Sequence, residues 1–388
     1  MSRTSGALTW TNARVVGPDR IVEGGWLYVT GGRIAAVGEA GDPLPPGAVR
    51  DGVVEDLGGR YVTPGFVDMH THGGGGASFT TGDQDEARTA AAFHLGHGTT
   101  TCLASLVTAP PSDLARMAGA LGELVDDGVL AGVHLEGPFL SAKRCGAQDP
   151  EYLMPPDPEA LATVLRPAHV RMVTLAPELG GAVDAVRRVV DAGVIAAVGH
   201  TDASYAETVA AFDAGATVAT HLFNGMRGLH HRDPGPVGAA LTDGRVTVEL
   251  INDGIHLHPA VVAMAARAAT GGVALVTDAM AAAGMGDGDY RLGSMDVRVA
   301  DGVARLATGD NIAGSTLTMD SAVHNAVHAA GLSVPAAVAA ATVAPARALG
   351  LAGELGAVRP GLRADLLVLD ADLRVSRVVR AGTDVTAR

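Results

Sequence analysis

From residue 62 onward, short runs of apolar and β-branched residues recur along the chain, and each run ends in polar residues or glycine. An alanine-rich stretch with the period of a helix follows each run. Because the runs are continuously apolar rather than alternating, they predict strands of a parallel sheet that is covered on both faces. The predicted strands are 62–70, 100–106, 130–137, 171–178, 194–201, 216–224, 245–253 and 273–280.

These strand–helix units, eight in number, predict a (β/α)8 barrel of the TIM type, an α/β fold. A doubly wound open sheet is the alternative architecture, but no Gly-x-Gly-x-x-Gly run follows the first strand to favour it. A hairpin over 295–306, which turns at Asp301-Gly302, follows the last strand and is expected to lie over the barrel mouth.

The two ends of the chain contain short strands separated by tight turns. Residues 27–37 turn at Gly31-Gly32, and 365–370 and 375–379 predict two further strands. Neither end alone supplies enough strands for a stable sheet, so we expect the two to form one small β-sandwich domain together. The predicted domain boundaries are 1–60 and 351–388 for the two parts of this small domain, and 61–350 for the barrel.

The composition narrows the class of partner. The chain has 42 acidic and 28 basic side chains and a formal net charge of −14, which argues against nucleic acid or an anionic membrane as a partner. Its two cysteines, Cys102 and Cys145, imply no disulfide framework. The sequence contains neither a secretory leader pattern nor a run of about 18 strongly apolar residues. These features predict a soluble protein of the cytoplasm.

The polar residues at the ends of the predicted strands carry the candidate chemistry. The first strand ends in His70-Thr-His72, and the strand period of two places both imidazoles on one face. The other strand ends supply Glu136, His200, His221 and Asp278. Since the carboxyl ends of barrel strands open onto one face, we expect these side chains to converge. Histidine and carboxylate ligands without thiolate suit Zn²⁺, Fe²⁺, Mn²⁺ or a related cation, and the set is large enough for two.

The remaining histidines have ordinary interpretations. Helix packing or a surface position is expected for His94, His97, His324 and His328, and burial with hydrogen bonds is expected for His134. The loop after the sixth strand contains His230, His231 and Arg232, and spacing alone leaves open whether that guanidinium meets a phosphate.

Several short motifs occur in order along the chain. They are the HTH after GFVD, HLEGPF (134–139), VGHTD (198–202), THLFNGM (220–226), DGIH (253–256) and VTDA (276–279). Together they resemble the N-acetylglucosamine-6-phosphate deacetylases, a family of the amidohydrolase superfamily. The resemblance runs from about residue 60 to the end and includes PAR at 345–347 and GLRAD at 361–365. HLEGP, THLFN and DGIH in combination are specific to the deacetylases.

The resemblance implies a metal centre and a general base. The catalytic divalent metal would be held by Glu136, His200 and His221, and a second one by His70 and His72. Asp278 would act first as general base and then as general acid. The cofactor would be one or two divalent ions per subunit, with zinc first and iron, manganese, cobalt or cadmium as alternatives.

The resemblance also implies where an amino-sugar phosphate would bind. Contacts to this substrate are expected from Ala147, Gln148, Asn224, Gly225, Arg232, Asp253, His256, Ile312, Ala313 and Gly314. Asn224 and Gly225 would present backbone amides to the phosphate. The enzyme would be a homodimer in which Arg232 and His256 contact the phosphate across the subunit interface.

Gln148 departs from the family pattern. It stands where some members have a histidine that polarises the substrate carbonyl, and a neutral amide should stabilise an oxyanion less. A second metal at His70 and His72 would be able to polarise the carbonyl instead. The polar loop 141–150, which contains Lys143 and Cys145, is either a solvated loop or a flap that closes over the sugar.

Other functions stay open at this point. The chain could be another amidohydrolase, either an N-acetylgalactosamine-6-phosphate deacetylase or a cyclic-amide hydrolase. Lys143 is the only lysine and lies in a loop rather than at a strand end, which disfavours the lysine carbamate of dihydroorotase-like and hydantoinase-like enzymes. A non-catalytic sugar-phosphate sensor would keep the metal ligands but would not need Asp278.

Overall fold

The computed structural model describes residues 7–50 and 52–386, and these form two compact units. The terminal unit comprises the described residues up to Val67, His94–Thr100 and those from Met319 onward. The barrel unit comprises Asp68–Phe93 and Thr101–Thr318. The predicted domain boundaries stay predictions, and residues 1–6, 51, 387 and 388 of the predicted small domain lie outside the described residues.

The strands in chain order are β1 (Ala7–Val16), β2 (Ile21–Thr30), β3 (Arg33–Gly38), β4 (Gly52–Asp56), β5 (Tyr61–Pro64), β6 (Phe66–Asp68), β7 (Gly73–Gly74), β8 (Ala77–Ser78), β9 (Thr99–Leu106), β10 (Gly132–Glu136), β11 (Val170–Leu175), β12 (Ile195–Val198), β13 (Val218–Ala219), β14 (Thr247–Ile251), β15 (Val273–Val276), β16 (Gly288–Leu292), β17 (Met295–Ala300), β18 (Val303–Leu306), β19 (Leu366–Leu369), β20 (Val375–Arg380) and β21 (Thr383–Asp384). The α-helices are α1 (Pro46–Arg50), α2 (Gln84–Gly96), α3 (Pro111–Asp126), α4 (Pro158–Val164), α5 (Ala182–Asp191), α6 (Tyr205–Asp213), α7 (Gly235–Thr242), α8 (Pro259–Ala268), α9 (Met319–His328), α10 (Val334–Ala341) and α11 (Val343–Ala348). Short 3-10 turns lie at Ala142–Arg144 and Pro150–Tyr152. No helix of the described chain has the length and apolar character that a membrane crossing needs.

The terminal unit is built on a sheet to which both ends of the chain contribute. Its strand order is β21-β20-β19-β5-β1-β2-β3, with β4 paired to β1. The pair that joins the two ends is antiparallel and places Thr63 of β5 opposite Leu367 of β19. Trp10, Leu27 and Leu366 are fully buried in its core. This confirms that strands from both termini share one β structure.

The barrel sheet has the order β15-β14-β13-β12-β11-β10-β9-β6, and consecutive pairs from β9 to β15 are parallel. Every residue of β9 is buried, as its continuous apolar pattern predicted. The first and last strands are joined at their carboxyl ends, where the Asp278 N–H donates to the His70 carbonyl at 2.8 Å. The Thr277 hydroxyl donates to Asp68 at 2.6 Å beside it. The predicted TIM-type barrel is confirmed.

The first predicted strand, 62–70, is in fact two strands. Its first half is β5 of the terminal sheet and its second half is β6 of the barrel sheet, with Gly65 between them. The sixth predicted strand, 216–224, is reduced to β13, because the chain leaves the extended conformation before His221, whose φ is +27°. The polar end of this run therefore lies in a turn, whereas Glu136 at the end of the third run belongs to β10.

A small antiparallel sheet of β16, β17 and β18 follows the eighth barrel strand. The predicted hairpin is β17 and β18, and its turn uses left-handed backbone at Asp301 (φ +51°) and Gly302 (φ +73°). The sequence did not predict the third strand, β16. Leu292 and Val297 of this sheet pack with Val107 and Met280, which follow β9 and β15, so the sheet covers the carboxyl ends of barrel strands.

Candidate metal centre and substrate cavity

The ends of five barrel strands bring together all six side chains that the sequence singled out as candidate ligands or general base. These are His70 and His72 after β6, Glu136 in β10, His200 after β12, His221 after β13 and Asp278 after β15. All six are buried, with Glu136 only 2% exposed. Their convergence follows from the parallel barrel, which directs every strand end to one face.

Glu136 lies between two pairs of histidines and presents one carboxylate oxygen to each pair. Its Oε1 lies 2.9 Å from the Nε2 atoms of both His200 and His221. Its Oε2 lies 3.2 Å from His72 Nε2 and 3.6 Å from His70 Nε2. Within the described residues, the groups able to hold a cation are these two, and Glu136 belongs to both.

Two of the four histidines, His72 and His200, are oriented by contacts of their Nδ1 atoms with backbone carbonyl oxygens. The Nδ1 atom of His72 lies 3.0 Å from the Ser105 carbonyl oxygen, and that of His200 lies 2.8 Å from the Arg144 carbonyl oxygen. A carbonyl accepts only, so each Nδ1 carries a hydrogen, and each Nε2 is the atom that can take either a proton or a cation. This tautomer is the one that a histidine uses to bind a metal through Nε2.

Asp278 completes the cluster on the side of His70 and His72. Its Oδ1 lies 3.1 Å from His72 Nε2 and 3.4 Å from His70 Nε2. Burial raises the pKa of Asp278, but the charge of His70 and the hydrogen bond of His72 outweigh burial and lower that pKa to about 2. Asp278 is therefore an ionised carboxylate.

The carboxylates act in turn on the imidazoles. Burial lowers the pKa of His72, but hydrogen bonds to Asp278 and Glu136 outweigh burial and raise it to about 9. The cluster thus attracts positive charge to its Nε2 atoms, where protons and a divalent cation would compete. Four imidazoles and buried carboxylates without thiolate are a donor set that suits Zn²⁺ and related ions, so the residues fit a metal.

Three of the six side chains belong to residues whose backbone φ is positive, and this conformation sets their direction. His200, His221 and Asp278 have φ values of +45°, +27° and +49°, in the left-handed region that favours glycine. Such conformations concentrate at functional sites, where the surrounding structure holds them in place. Gly225 gives His200 the space it needs, because a Cβ atom at Gly225 would lie 2.9 Å from His200 Nδ1.

A cavity of about 340 Å³ opens beside the cluster. Most of the predicted substrate contacts line it, together with His72, Glu136, His200, His221 and Asp278: they are Ala147, Gln148, Asn224, Gly225, His256, Ile312 and Gly314. Sequence analysis missed Gly146, Leu292, Arg305, Asp310 and Asn311, which also line the cavity. Leu292 and Arg305 belong to β16 and β18, so only the position of the small sheet could have indicated them.

Gln148 is held on both sides of its amide. Its Nε2 donates to Glu136 Oε2 at 2.8 Å, and its Oε1 accepts the Thr108 backbone N–H at 2.7 Å. The residue therefore steadies the central carboxylate. Asn224 lines the cavity, and its backbone N–H donates to the His221 carbonyl at 3.0 Å; its role toward a phosphate stays a prediction.

Asp253 supports His256 instead of lining the cavity itself. Its Oδ2 lies 2.7 Å from His256 Nδ1, and its Oδ1 accepts the backbone N–H groups of Ile255 and His256. Burial lowers the pKa of His256, but the hydrogen bond and charge of Asp253, with the charge of Asp278, raise it overall above 6.5. His256 is thereby favoured as a cation at the cavity wall.

The remaining predicted site residues lie elsewhere in the described structure. Arg232 is exposed and does not line the cavity of its own chain, and Ala313 is fully buried in the core beneath the small sheet with Met280 and Leu292. Lys143 is 79% exposed and pairs with Asp202 at 3.3 Å. Cys145 is half-buried and does not line the cavity. Whether the loop 141–150 moves as a flap stays a prediction.

Glu249 is a buried carboxylate in contact with the cluster that sequence analysis missed. It lies in β14, is fully buried, and its Oε2 is 3.0 Å from His70 Nδ1. The sequence did contain a signal for it. Glu249 is a carboxylate within an apolar strand that is covered on both faces, and a charge in that position needs a specific partner.

Four histidines outside the cluster lie where the sequence indicated, whereas His97, expected in a helix, directly follows α2. His134 is buried and contacts Ser105 Oγ at 2.9 Å and Thr174 Oγ1 at 2.8 Å. His94 is buried in α2, and His324 and His328 lie in α9.

Comparison with known proteins places this architecture among relatives. Residues 61–385 match the amidohydrolase family. The N-acetylgalactosamine-6-phosphate deacetylase of Escherichia coli O157:H7 is 37% identical, over 92% of this chain and 95% of that protein. The N-acetylglucosamine-6-phosphate deacetylase of Homo sapiens is 36% identical, over 97% of this chain and 94% of that protein.

Solved structures of two deacetylases have a similar fold over nearly the whole of this chain. A mutant N-acetyl-D-glucosamine-6-phosphate deacetylase from Mycobacterium smegmatis, in complex with N-acetyl-D-glucosamine-6-phosphate, is 47% identical and superposes with a TM-score of 0.93, covering 98% of this chain and 100% of that one. The N-acetylglucosamine-6-phosphate deacetylase from Thermotoga maritima is 31% identical with a TM-score of 0.86, covering 97% of this chain and 99% of that one.

Proposed function

This chain belongs to the amidohydrolase family, and from that premise we propose that it removes the acetyl group from N-acetylglucosamine 6-phosphate to give glucosamine 6-phosphate and acetate. The observation that carries the proposal is the position of Glu136 between two histidine pairs, with the ionised Asp278 beside them at a cavity. A cavity of about 340 Å³ is of the size that small-molecule sites have.

The metal assignment follows the two groups. Glu136, His200 and His221 would hold the catalytic ion, and His70 and His72, with the other oxygen of Glu136, would hold a second. Zinc is the ion that a set rich in histidine favours. When bound, a divalent cation supplies Lewis acidity to a substrate carbonyl and lowers the pKa of water.

Asp278 supplies the proton transfers. Its ionised carboxylate accepts a proton from the attacking water as the new C–O bond forms at the acetyl carbon. The protonated Asp278 then gives that proton to the amine nitrogen as the C–N bond breaks. One carboxylate thus serves both steps, and no second acid is required.

Other residues that line the cavity would bind the sugar phosphate. His256, held as a cation by Asp253, and the backbone amide of Gly225 would contact the phosphate, with Asn224 beside them. Ala147, Ile312 and Gly314 would lie against the sugar. Arg232 would reach the phosphate of a neighbouring subunit's site in a homodimer, because in its own chain it does not line the cavity.

We place the enzyme in the cytoplasm. A substrate that carries a phosphate dianion is made and kept inside a cell, and both cysteines are free thiols, as a reducing compartment favours.

A second candidate substrate is N-acetylgalactosamine 6-phosphate. The relative from Escherichia coli O157:H7, which is named for that deacetylation, matches this chain over 92% of its length. Cyclic amides are disfavoured, because Lys143 is exposed and paired with Asp202, away from the cluster. A sensor without catalysis is disfavoured because Asp278 is buried and ionised beside His70 and His72.

The test measures acetate release by the purified protein from both epimeric 6-phosphates and from unphosphorylated N-acetylglucosamine, before and after treatment with a chelator. Turnover of N-acetylglucosamine 6-phosphate that the chelator abolishes and zinc restores is the expected result. A metal-loaded protein that releases no acetate from any of the three would overturn the proposal. Elemental analysis of the same samples identifies the ion.

A further inference from the structure

Glu249 is a buried carboxylate that the proposed chemistry does not use. It is 0% exposed in β14, where a charged group is costly unless specific partners compensate it. Its Oε2 lies 3.0 Å from His70 Nδ1 and also accepts the His221 backbone N–H at 3.0 Å. Among the described residues, its Oε1 has no hydrogen-bond partner.

The four histidines of the cluster differ in the group that their Nδ1 atoms contact. His72 and His200 direct Nδ1 to backbone carbonyls, of Ser105 and Arg144. The Nδ1 of His221 has no partner among the described residues. His70 alone of these four contacts a carboxylate through Nδ1. A backbone carbonyl would be enough to orient the ring, so the carboxylate adds something else, namely negative charge.

That charge acts on the group of His70, His72 and Glu136. A carboxylate that accepts from Nδ1 fixes the tautomer in which Nε2 is unprotonated, and it makes Nε2 a stronger donor to a cation. The Nε2 of His70 lies 3.2 Å from His72 Nε2 and 3.6 Å from Glu136 Oε2, which are the other members of the group. Glu249 therefore contacts only one candidate ligand of this group, His70, through its Nδ1 atom.

We propose that Glu249 is a positioning residue that makes the group of His70, His72 and Glu136 a cation site in its own right. The inference rests on the proposed metal-dependent function. It assigns to Glu249 the orientation and basicity of His70, so that the affinity of this group for a cation can be changed without changing that of the other group. The hydrogen bond to the His221 backbone couples the carboxylate to the other group only through the main chain.

The decisive variant is Glu249→Gln, which keeps the shape and an oxygen for the His221 N–H but removes the charge. The full-length protein is stripped with a chelator and titrated with Zn²⁺ against a chromophoric competitor. We expect wild type to bind two Zn²⁺ per chain. We expect Glu249→Gln to weaken one of them by about 10- to 100-fold and to leave the other close to wild type.

The matched control is Asp365→Asn in the terminal unit. Asp365 is also a buried carboxylate that accepts a backbone N–H, from Ala381 at 2.8 Å, and it lies in neither cation-binding group. This variant should lower the melting temperature without changing either Zn²⁺ affinity. The control therefore distinguishes the effect of removing any buried charge from the effect of removing the charge next to His70 Nδ1.

A double-mutant cycle shows whether Glu249 acts through His70. In a His70→Asn background the Glu249→Gln change should no longer alter Zn²⁺ binding, because the ring it positions is absent. A purely structural role would give additive losses instead, and additive losses would overturn the proposal.

The outcomes are distinguishable. Wild type that binds no Zn²⁺ would refute the metal-dependent function itself. Wild type that binds a single Zn²⁺, or a Glu249→Gln protein that binds two as tightly as wild type, or one that weakens both equally, would refute the role of Glu249 and leave the deacetylase proposal standing.

Discussion

The imidazole Nδ1 of His256 lies 2.7 Å from the carboxylate Oδ2 of Asp253, and both side chains are over nine-tenths buried. Burial raises the pKa of Asp253, but the hydrogen bond and charge of His256 lower it overall. The same contact, with the charge of Asp278, raises the pKa of His256 above 6.5 despite burial. The pair therefore favours the cationic form of His256 at the cavity wall.

The pair predicts how substrate affinity depends on pH. His256 is protonated below its raised pKa, so KM for a 6-phosphorylated substrate should be low there and should rise as pH increases through that pKa. An unphosphorylated N-acetyl sugar should show no such rise. Steady-state kinetics between pH 6 and pH 9, with both substrates, measure the difference. Parallel pH profiles for the two substrates would contradict a role for His256 at the phosphate.

Removing the charge of Asp253 should move that profile. In Asp253→Asn the amide oxygen still accepts the backbone N–H groups of Ile255 and His256, but the negative charge is gone. The pKa of His256 should fall, and the rise in KM should begin at lower pH with kcat little changed. Asp289→Asn, which removes a carboxylate paired with Arg298 on the outer face of the small sheet, is the control. A profile identical to wild type would show that Asp253 does not set the charge of His256.

Asp278→Asn should bind substrate but turn it over very slowly. The amide cannot accept the proton of the attacking water, so we expect kcat to fall by about 10²- to 10⁴-fold. The dissociation constant for N-acetylglucosamine 6-phosphate, from calorimetry on the metal-loaded variant, should stay close to the wild-type KM. Metal content is measured alongside, since Asp278 lies 3.1 Å from His72 Nε2. Turnover close to wild type with intact metal content would remove Asp278 from the mechanism.

The barrel and the cluster could be predicted from sequence because both depend on local pattern. Continuous apolar runs predict parallel strands, and the polar residue at the end of each run must then lie at the same face. His70, Glu136 and Asp278 were found in this way, although His70 and Asp278 lie at opposite ends of the barrel sequence. The predicted strands were longer than the observed ones. Local pattern does not show where the backbone turns left-handed, as it does at His221.

What the sequence could not predict depends on contacts between distant segments. Glu249 acquires its role only because β14 brings it within 3.0 Å of His70 Nδ1. Arg305 lines the cavity because the small sheet packs over the strand ends. Gln148 was identified as a departure from the family pattern, but its contact with Glu136 required the structure. Such pairings have no period in the sequence.

Gly225→Ala should disturb His200 specifically. The new Cβ would lie 2.9 Å from His200 Nδ1, and the φ of +58° costs an alanine about 1–2 kcal/mol. We expect a lower melting temperature, weaker binding of the ion held by Glu136, His200 and His221, and a reduced kcat/KM. Gly228→Ala is the control in the same loop, because a Cβ there would meet no atom within 4 Å. Equal effects of the two substitutions would show that crowding of His200 is not the cause.

Arg232 offers a test of the homodimer that needs no structure of the complex. In its own chain the residue is exposed and does not line the cavity, so any effect of Arg232→Ala on phosphate binding must come from a second copy. We expect Arg232→Ala to raise KM for the 6-phosphorylated substrate and to leave turnover of an unphosphorylated sugar unchanged. Light scattering measures whether the protein is a dimer.

Mixed dimers make that prediction decisive. When chains of Arg232→Ala and Asp278→Asn are co-expressed with different tags and the mixed dimer is isolated, one of its sites has an intact Asp278 and receives Arg232 from the other chain. That dimer should recover about half of wild-type activity at low substrate concentration, because one site in two is whole. A mixed dimer of Asp278→Asn with Glu136→Gln should recover none, since both defects then lie in the site of their own chain. If the first mixed dimer is as slow as its parents, Arg232 does not serve the neighbouring site.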